Sequence, residues 1–200
     1  MRVGVLALQG SFSEHVTMLA RMGPEIVPVE VRLPRELEGL DALIMPGGES
    51  TTFAKLAVWH GLIEPIRAFI QAGKPVWGTC AGLIFLAKDI GREQPTLAMM
   101  DIKVKRNAFG RQTESFTMGL DIAGVEGRPF TGVFIRAPMI ESVGAGVEVL
   151  AKLDDGTDDS AGTIVAARQG NMLATSFHPE LTQDTRVHAM FLSMVRQPIT

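Results

Sequence analysis

The chain has 200 residues, 46% hydrophobic and 20% charged, with 19 Lys and Arg against 22 Asp and Glu for a net charge of −3. That length suits one domain with a sizeable core. The charge balance excludes a disordered chain, a basic nucleic-acid footprint and a polybasic membrane surface. One cysteine, four histidines and no tyrosine exclude an intramolecular disulfide, a cysteine-based zinc site and phenolic acid–base chemistry, and they fit a cytoplasmic protein.

The run "VGVLAL" (3–8) is too short for a signal segment and reads as a strand buried on both faces of a parallel sheet. No stretch approaches the ~18 apolar residues of a membrane-spanning helix. Ser11-x-x-Glu14 reads as a capping box opening a helix that carries Val16, Leu19 and Ala20, with Gly23 as its stop. "IVPVEV" (26–31) is a second strand, placed toward an edge by Pro28, which has no N–H for a ladder. "DALIMPGG" (41–48) is a third strand running into a glycine loop. Residues 50–72 have helical periodicity with a break near His60-Gly61 and a stop at Gly73-Lys74-Pro75. "PVWGTC" is a fourth strand, followed by a helix through about Lys88. The alternation predicts an α/β fold with a parallel, doubly wound sheet.

The second half is richer in strands. "DIKVKR" (101–106), "GVFIRAP" (132–138), "VEVLAKL" (147–153), "TIVAARQ" (163–169) and "MLATSF" (172–177) follow one another, with a tight hairpin expected at Gln169-Gly170-Asn171. The acidic stretch at 154–162 reads as a solvated loop, and an amphipathic helix over roughly 184–196 ends the chain. No repeat and no linker composition divides it, so residues 1–200 are expected to form a single domain.

Cys80 sits in Gly78-x-Cys80-x-Gly82, between a strand and a helix. This is the layout of a nucleophile elbow, where small neighbours let the chain turn sharply and the helix N-terminus lowers the thiol pKa. Alone, the motif is equally that of a buried structural cysteine. His15 and His188 fall inside predicted helices and read as surface or packing residues, and His60 sits at a helix break. His178 stands directly after a strand, in "TSFHPELT", and Pro179 biases it toward an extended backbone. In an extended segment His178 and Glu180 share a face. The carboxylate can then orient the imidazole while the other ring nitrogen faces the thiol, which is triad logic; an ordinary turn after an edge strand is the rival reading. "MPGGEST" (45–51) offers backbone N–H groups beside the elbow, as an oxyanion hole needs, and lacks the GK[ST] ending of a phosphate loop. Both loops are expected at the carboxyl edge of the sheet, where ligands bind in such folds.

"PGGES", "GTCAG" and "HPE" together resemble class I, triad-type glutamine amidotransferases. "GVLALQG", "PGGEST", "GTCAGLI", "RNAFGRQ", "FIRAP" and "SFHPELT", in that order, are similar to the glutaminase subunits of pyridoxal 5′-phosphate synthase, over nearly the whole chain. The resemblance implies a single-domain, three-layer, flavodoxin-like α/β fold whose mostly parallel central sheet gains antiparallel strands in the second half. It implies hydrolysis of L-glutamine to L-glutamate and ammonia, with the ammonia passed to a separate synthase subunit in a large hetero-oligomer, and no metal or bound cofactor. Carried over position by position, Cys80 is the nucleophile, His178 the general base and acid, and Glu180 its orienter. Gly47, Gly48, Glu49, Arg106, Ile135 and Arg136 match glutamine-binding positions, and Gly48 and Ala81 match the oxyanion hole. Gln9 matches a position tied to activation by the partner. A peptidase-like or glyoxalase-like cysteine hydrolase would share the elbow without needing Glu49 and both arginines. A non-catalytic subunit would have no need of Cys80, His178 and Glu180 together.

Overall fold

The computed structural model describes residues 1–106, 115–153 and 162–196. The "NAFGRQ" part of the arginine motif and nearly all of the acidic stretch lie outside the described residues.

Strands β1 (Arg2–Leu6), β2 (Val27–Val31), β3 (Ala42–Met45) and β4 (Val76–Thr79) alternate with helices α1 (Phe12–Ala20), α2 (Ser50–Trp59) and α3 (Ile63–Gln71). A short helix α4 (Ala81–Leu86) follows β4 directly. Strands β5 (Ala87–Asp89), β6 (Met100–Lys105), β7 (Ser115–Leu120), β8 (Phe130–Ile135), β9 (Met139–Val143), β10 (Glu148–Leu153), β11 (Thr163–Gln169) and β12 (Met172–Thr175) come next, and α5 (Arg186–Arg196) ends the described chain.

Ten strands form one sheet in the order β2-β1-β3-β4-β12-β11-β9-β6-β5, with β10 paired to β11, and β7–β8 form a separate ribbon. The β2-to-β12 half is parallel, and antiparallel pairing begins at β12–β11. Successive residues of a strand face opposite layers. Thus Val76 joins the layer of α2, α3 and α4, with Phe53, Phe69 and Phe85. Trp77 joins the opposite layer, with Leu19 of α1 and Phe191 of α5. The expected α/β three-layer fold, with antiparallel strands added in the second half, is what forms. Among the described residues no helix is long and apolar enough to cross a membrane.

β2 is an edge strand, as Pro28 requires, and the break at His60-Gly61 and the Gly170 hairpin fall where expected. Several boundaries differ. The helix expected to reach Lys88 stops at Leu86, because Ala87 turns extended and the Phe85 and Leu86 carbonyls accept from Leu97 and Met99 instead. The strand read at 132–138 begins at Phe130 and ends at Ile135, because Arg136 adopts φ +44°, and a new strand starts three residues later. The Ser11 capping box does not form: the Ser11 hydroxyl donates to Glu180 and accepts no N–H from the first turn of α1.

Candidate active site

The insertion of β12 between β4 and β11 builds the site. β12 runs parallel to β4 with Thr175 opposite Thr79, and Cys80 N–H donates to the Thr175 carbonyl at 2.8 Å. Residues that follow the two strands therefore emerge side by side at one carboxyl edge. Cys80 takes φ +49° and ψ −99°, a conformation that L residues hold only under strain. The strain is imposed by packing. Gly82 lies so close to β3 that a Cβ there would collide with the Met45 carbonyl, which holds the start of α4 hard against the sheet. The thiol is nearly buried, at 7% exposure.

The His178 N–H donates to the Val133 carbonyl of β8 at 2.8 Å, so the ribbon holds the histidine segment. Pro179–Leu181 forms a 3₁₀ turn rather than the extended run anticipated, with Pro179 opening it. His178 and Glu180 still meet, because the turn brings the carboxylate beneath the imidazole. Nδ1–H donates to Glu180 Oε1 at 2.7 Å, and the Cys80 thiol lines the same cavity as the ring and helps to set its charge. With Nδ1 taken by Glu180, Nε2 is the nitrogen left for sulfur. Gly47 packs under the ring, where a Cβ would strike His178 Cε1.

Burial opposes a charge on His178, but the Cys80 sulfur and the hydrogen-bonded Glu180 carboxylate outweigh it and raise the ring to about 10. Burial likewise opposes the Glu180 charge, and the adjoining His15, the His178 hydrogen bond and the Ser11 hydroxyl overcome it, lowering the carboxyl to about 2. Burial lowers His15 and pushes His188 well below its ordinary range, so both rings are neutral near pH 7. His15 Nε2 stands 3.4 Å from Glu180 Oε2, an oxygen that accepts no hydrogen bond among the described residues.

Cys80, His178, Gly48, Glu49, Arg106, Ile135 and Arg136 line one cavity of about 370 Å³. Glu49 lies at its rim as the N-cap of α2, its oxygens accepting from the Thr51 and Thr52 N–H groups at 3.0 and 2.7 Å. The Thr51 bond is the main cause of its fall to about 2. Arg106 Nη2 stands 3.6 Å from Glu49, while Arg106 Nη1 is buried without a hydrogen-bond partner among the described residues. Gln9 is behind the glycine loop, where its Oε1 accepts from Glu49 N–H at 2.8 Å. Ala81, the first residue of α4, has an N–H that no helical carbonyl can accept.

Sequence reasoning missed three contributors. Ser11 donates to Glu180 Oε1 at 2.6 Å, and His15 Nε2 lies 3.4 Å from Glu180 Oε2. Ser50, whose Oγ is buried and unpartnered among the described residues, lines the same cavity. His15 and His188, read as surface or packing residues, are both fully buried. The available signal was spacing, since His15 shares a helix face with Leu19 and Met18.

An α/β sheet with a Cys–His–carboxylate array at its carboxyl edge defines a class of protein, and comparison with known proteins narrows it. The SNO glutamine amidotransferase family matches residues 5–197, and the chain belongs to that family. It is 54% identical to the pyridoxal 5′-phosphate synthase subunit PdxT of Roseiflexus sp., over 97% of this chain and 100% of the relative. The PdxT subunit of Streptomyces coelicolor is 55% identical, over 97% of this chain and 93% of the relative. A crystal structure of a glutamine amidotransferase matches with a TM-score of 0.88 at 50% identity, covering 98% of this chain and 99% of that one. A structure of PurLQS from Thermotoga maritima, at a TM-score of 0.68 and 15% identity over 96% and 97% of the two chains, shares the fold alone.

Proposed function

We propose that this chain is the glutaminase of a pyridoxal 5′-phosphate synthase, acting as one domain in the cytoplasm. It hydrolyses L-glutamine to L-glutamate and ammonia and delivers the ammonia to a synthase subunit within a hetero-oligomer. The observation that carries the reading is His178, bonded to Glu180 and sharing with Cys80 a cavity of about 370 Å³ that Glu49 and Arg106 also line.

His178 takes the thiol proton, and the sulfur attacks the side-chain carboxamide carbon of glutamine. Negative charge developing on the amide oxygen is met by the N–H groups of Gly48 and Ala81. The tetrahedral intermediate collapses as His178 returns the proton to the leaving nitrogen, releasing ammonia and leaving a γ-glutamyl thioester on Cys80. Water, deprotonated by His178, attacks the thioester and frees glutamate and the thiol. Glu180 keeps Nδ1 protonated throughout, so that Nε2 handles every transfer. Arg106 and Arg136 offer their guanidinium forks to the substrate α-carboxylate, and the Glu49 charge faces its ammonium. The Gln9 contact with the Glu49 peptide ties this loop to the surface that meets the synthase, which makes turnover dependent on docking.

The test is glutamate release by the chain with and without its synthase subunit. Release should be weak alone, rise strongly with the partner, and vanish in Cys80→Ala while the complex still assembles. A partner-stimulated rate unchanged in Cys80→Ala would overturn the mechanism.

A further inference from the structure

Behind the triad lies a group of buried polar side chains that the hydrolytic steps do not use. His15 of α1, His188 of α5 and Thr79 at the end of β4 are fully buried. His15 Nδ1 lies 3.0 Å from His188 Nε2, and His15 Nε2 lies 3.3 Å from Thr79 Oγ1 and 3.4 Å from Glu180 Oε2. The Trp77 ring packs edge-on against both imidazoles, and its N–H is given to Thr175 Oγ1. The rings thus have little freedom to move.

The carboxylate decides which nitrogens carry protons. Glu180 is an acceptor only, so the His15 nitrogen facing it must be N–H; a lone pair there would repel the oxygen. A neutral His15 then presents Nδ1 as an acceptor, and His188 must donate through Nε2–H. That leaves His188 Nδ1 as a lone pair, and it is the imidazole nitrogen buried without a partner among the described residues. The reverse assignment would bury an N–H with no acceptor and set two lone pairs against each other, a double cost. One assignment satisfies the contacts from His188 to His15 and from His15 to Thr79, and turns an N–H toward Glu180 Oε2.

We infer that His15 is a positioning residue of the active site: its Nε2–H, oriented by His188, is given to Thr79 Oγ1 in the residue before the nucleophile, and stands 3.4 Å from Glu180 Oε2, an oxygen that accepts no hydrogen bond among the described residues. The inference deepens the glutaminase reading and rests on it. Ser11 and His178 hold Glu180 at Oε1, and the His15 ring faces its other oxygen at 3.4 Å. His15 also bridges the two segments that carry the triad, β4 with Cys80 and the turn with His178 and Glu180.

Nitrogen NMR of the full chain labelled at histidine tests this without any turnover. His15 and His188 should both be neutral Nε2–H tautomers from pH 6 to 8, and the His178 Nδ1–H proton bonded to Glu180 should be resolved. A charged His15, or an Nδ1–H tautomer at that ring, overturns the proposal. His15→Gln, whose amide nitrogen can reach the Nε2 position, should keep the His178 proton signal, and His15→Leu should lose it. In the complex with synthase, His15→Leu should lower kcat ~10- to 100-fold with KM within ~2-fold, as a small misplacement of a catalytic group does, and His15→Gln should recover most of it. Equal losses in the two variants, or a loss confined to KM, overturn the proposal. If wild-type complex releases no glutamate, the glutaminase reading fails, while the tautomers and the His178 signal still decide the role of His15 toward Glu180. Should His15→Leu not fold, the wild-type tautomers and His15→Gln decide it.

Discussion

Glu180→Gln keeps the shape of the side chain and removes its charge. Two donors meet on Glu180 Oε1, Ser11 Oγ at 2.6 Å and His178 Nδ1 at 2.7 Å, while His15 Nε2 stands 3.4 Å from Oε2. An amide oxygen at the Oε1 position can still accept from both, but it sets the NH₂ group against the His15 ring and carries no charge to hold the His178 imidazolium. A carboxyl lowered from 4.5 to about 2 corresponds to ~3 kcal/mol, at ~1.4 kcal/mol per tenfold change. The folded value lies below the unfolded one, so this stabilisation is complete above the unfolded value and is lost as the pH falls toward 2. Urea unfolding should therefore place the wild type ~3 kcal/mol above the variant at pH 7 and ~2 kcal/mol above it at pH 3.5. His178 is displaced the other way. Raised to about 10, its contribution is complete below 6.5 and is lost as the pH climbs through 10. Without the Glu180 charge the ring should titrate closer to 6.5, and its tautomer is no longer held. Glutamate release by the complex should fall ~10²-fold or more in kcat. A variant within ~3-fold of wild type in kcat, or a stability gap that does not narrow between pH 7 and pH 3.5, refutes this account of Glu180.

Cys80→Gly should be more stable than Cys80→Ala by ~1 kcal/mol or more, because glycine accepts φ +49° without strain. Calorimetry should show this as a higher Tm, by ~2–4 °C per kcal/mol, with both variants inactive. Gly82→Ala should cost ~1–3 kcal/mol in urea unfolding, since its Cβ has only the Met45 backbone to displace. Arg106→Lys keeps the charge beside Glu49 but loses the fork, so KM for glutamine should rise ~10-fold with kcat little changed; a fall in kcat alone would contradict a substrate-binding role.

Much of the site was legible because its chemistry is local. Gly78-x-Cys80-x-Gly82 encodes a turn that packing makes strained, and the spacing of His178, Pro179 and Glu180 allows one contact whichever backbone joins them. The contact was expected through an extended segment and is made through a 3₁₀ turn, so the pair was right and the backbone was not. The ribbon strand β7 and strand β9 were not read, because their exposed faces blur the alternation on which such readings depend. Ser11 was read as a helix cap, since the residue pattern of a capping box cannot reveal that a carboxylate 169 positions away competes for the hydroxyl.

By itself the sequence determined the parallel first half, the elbow at Cys80, the glycine loop and the histidine–carboxylate pair, all of which follow from neighbours within a few residues. Only the tertiary structure decided that β12 enters the sheet beside β4, which brings His178 to Cys80 across almost a hundred residues. Strand order depends on which faces can be buried together, and no local pattern reports that. The tertiary structure also turned His15 and His188 from two helical histidines into a buried chain that runs to Thr79 beside Glu180. A side chain's role there depends on what the opposite layer places against it.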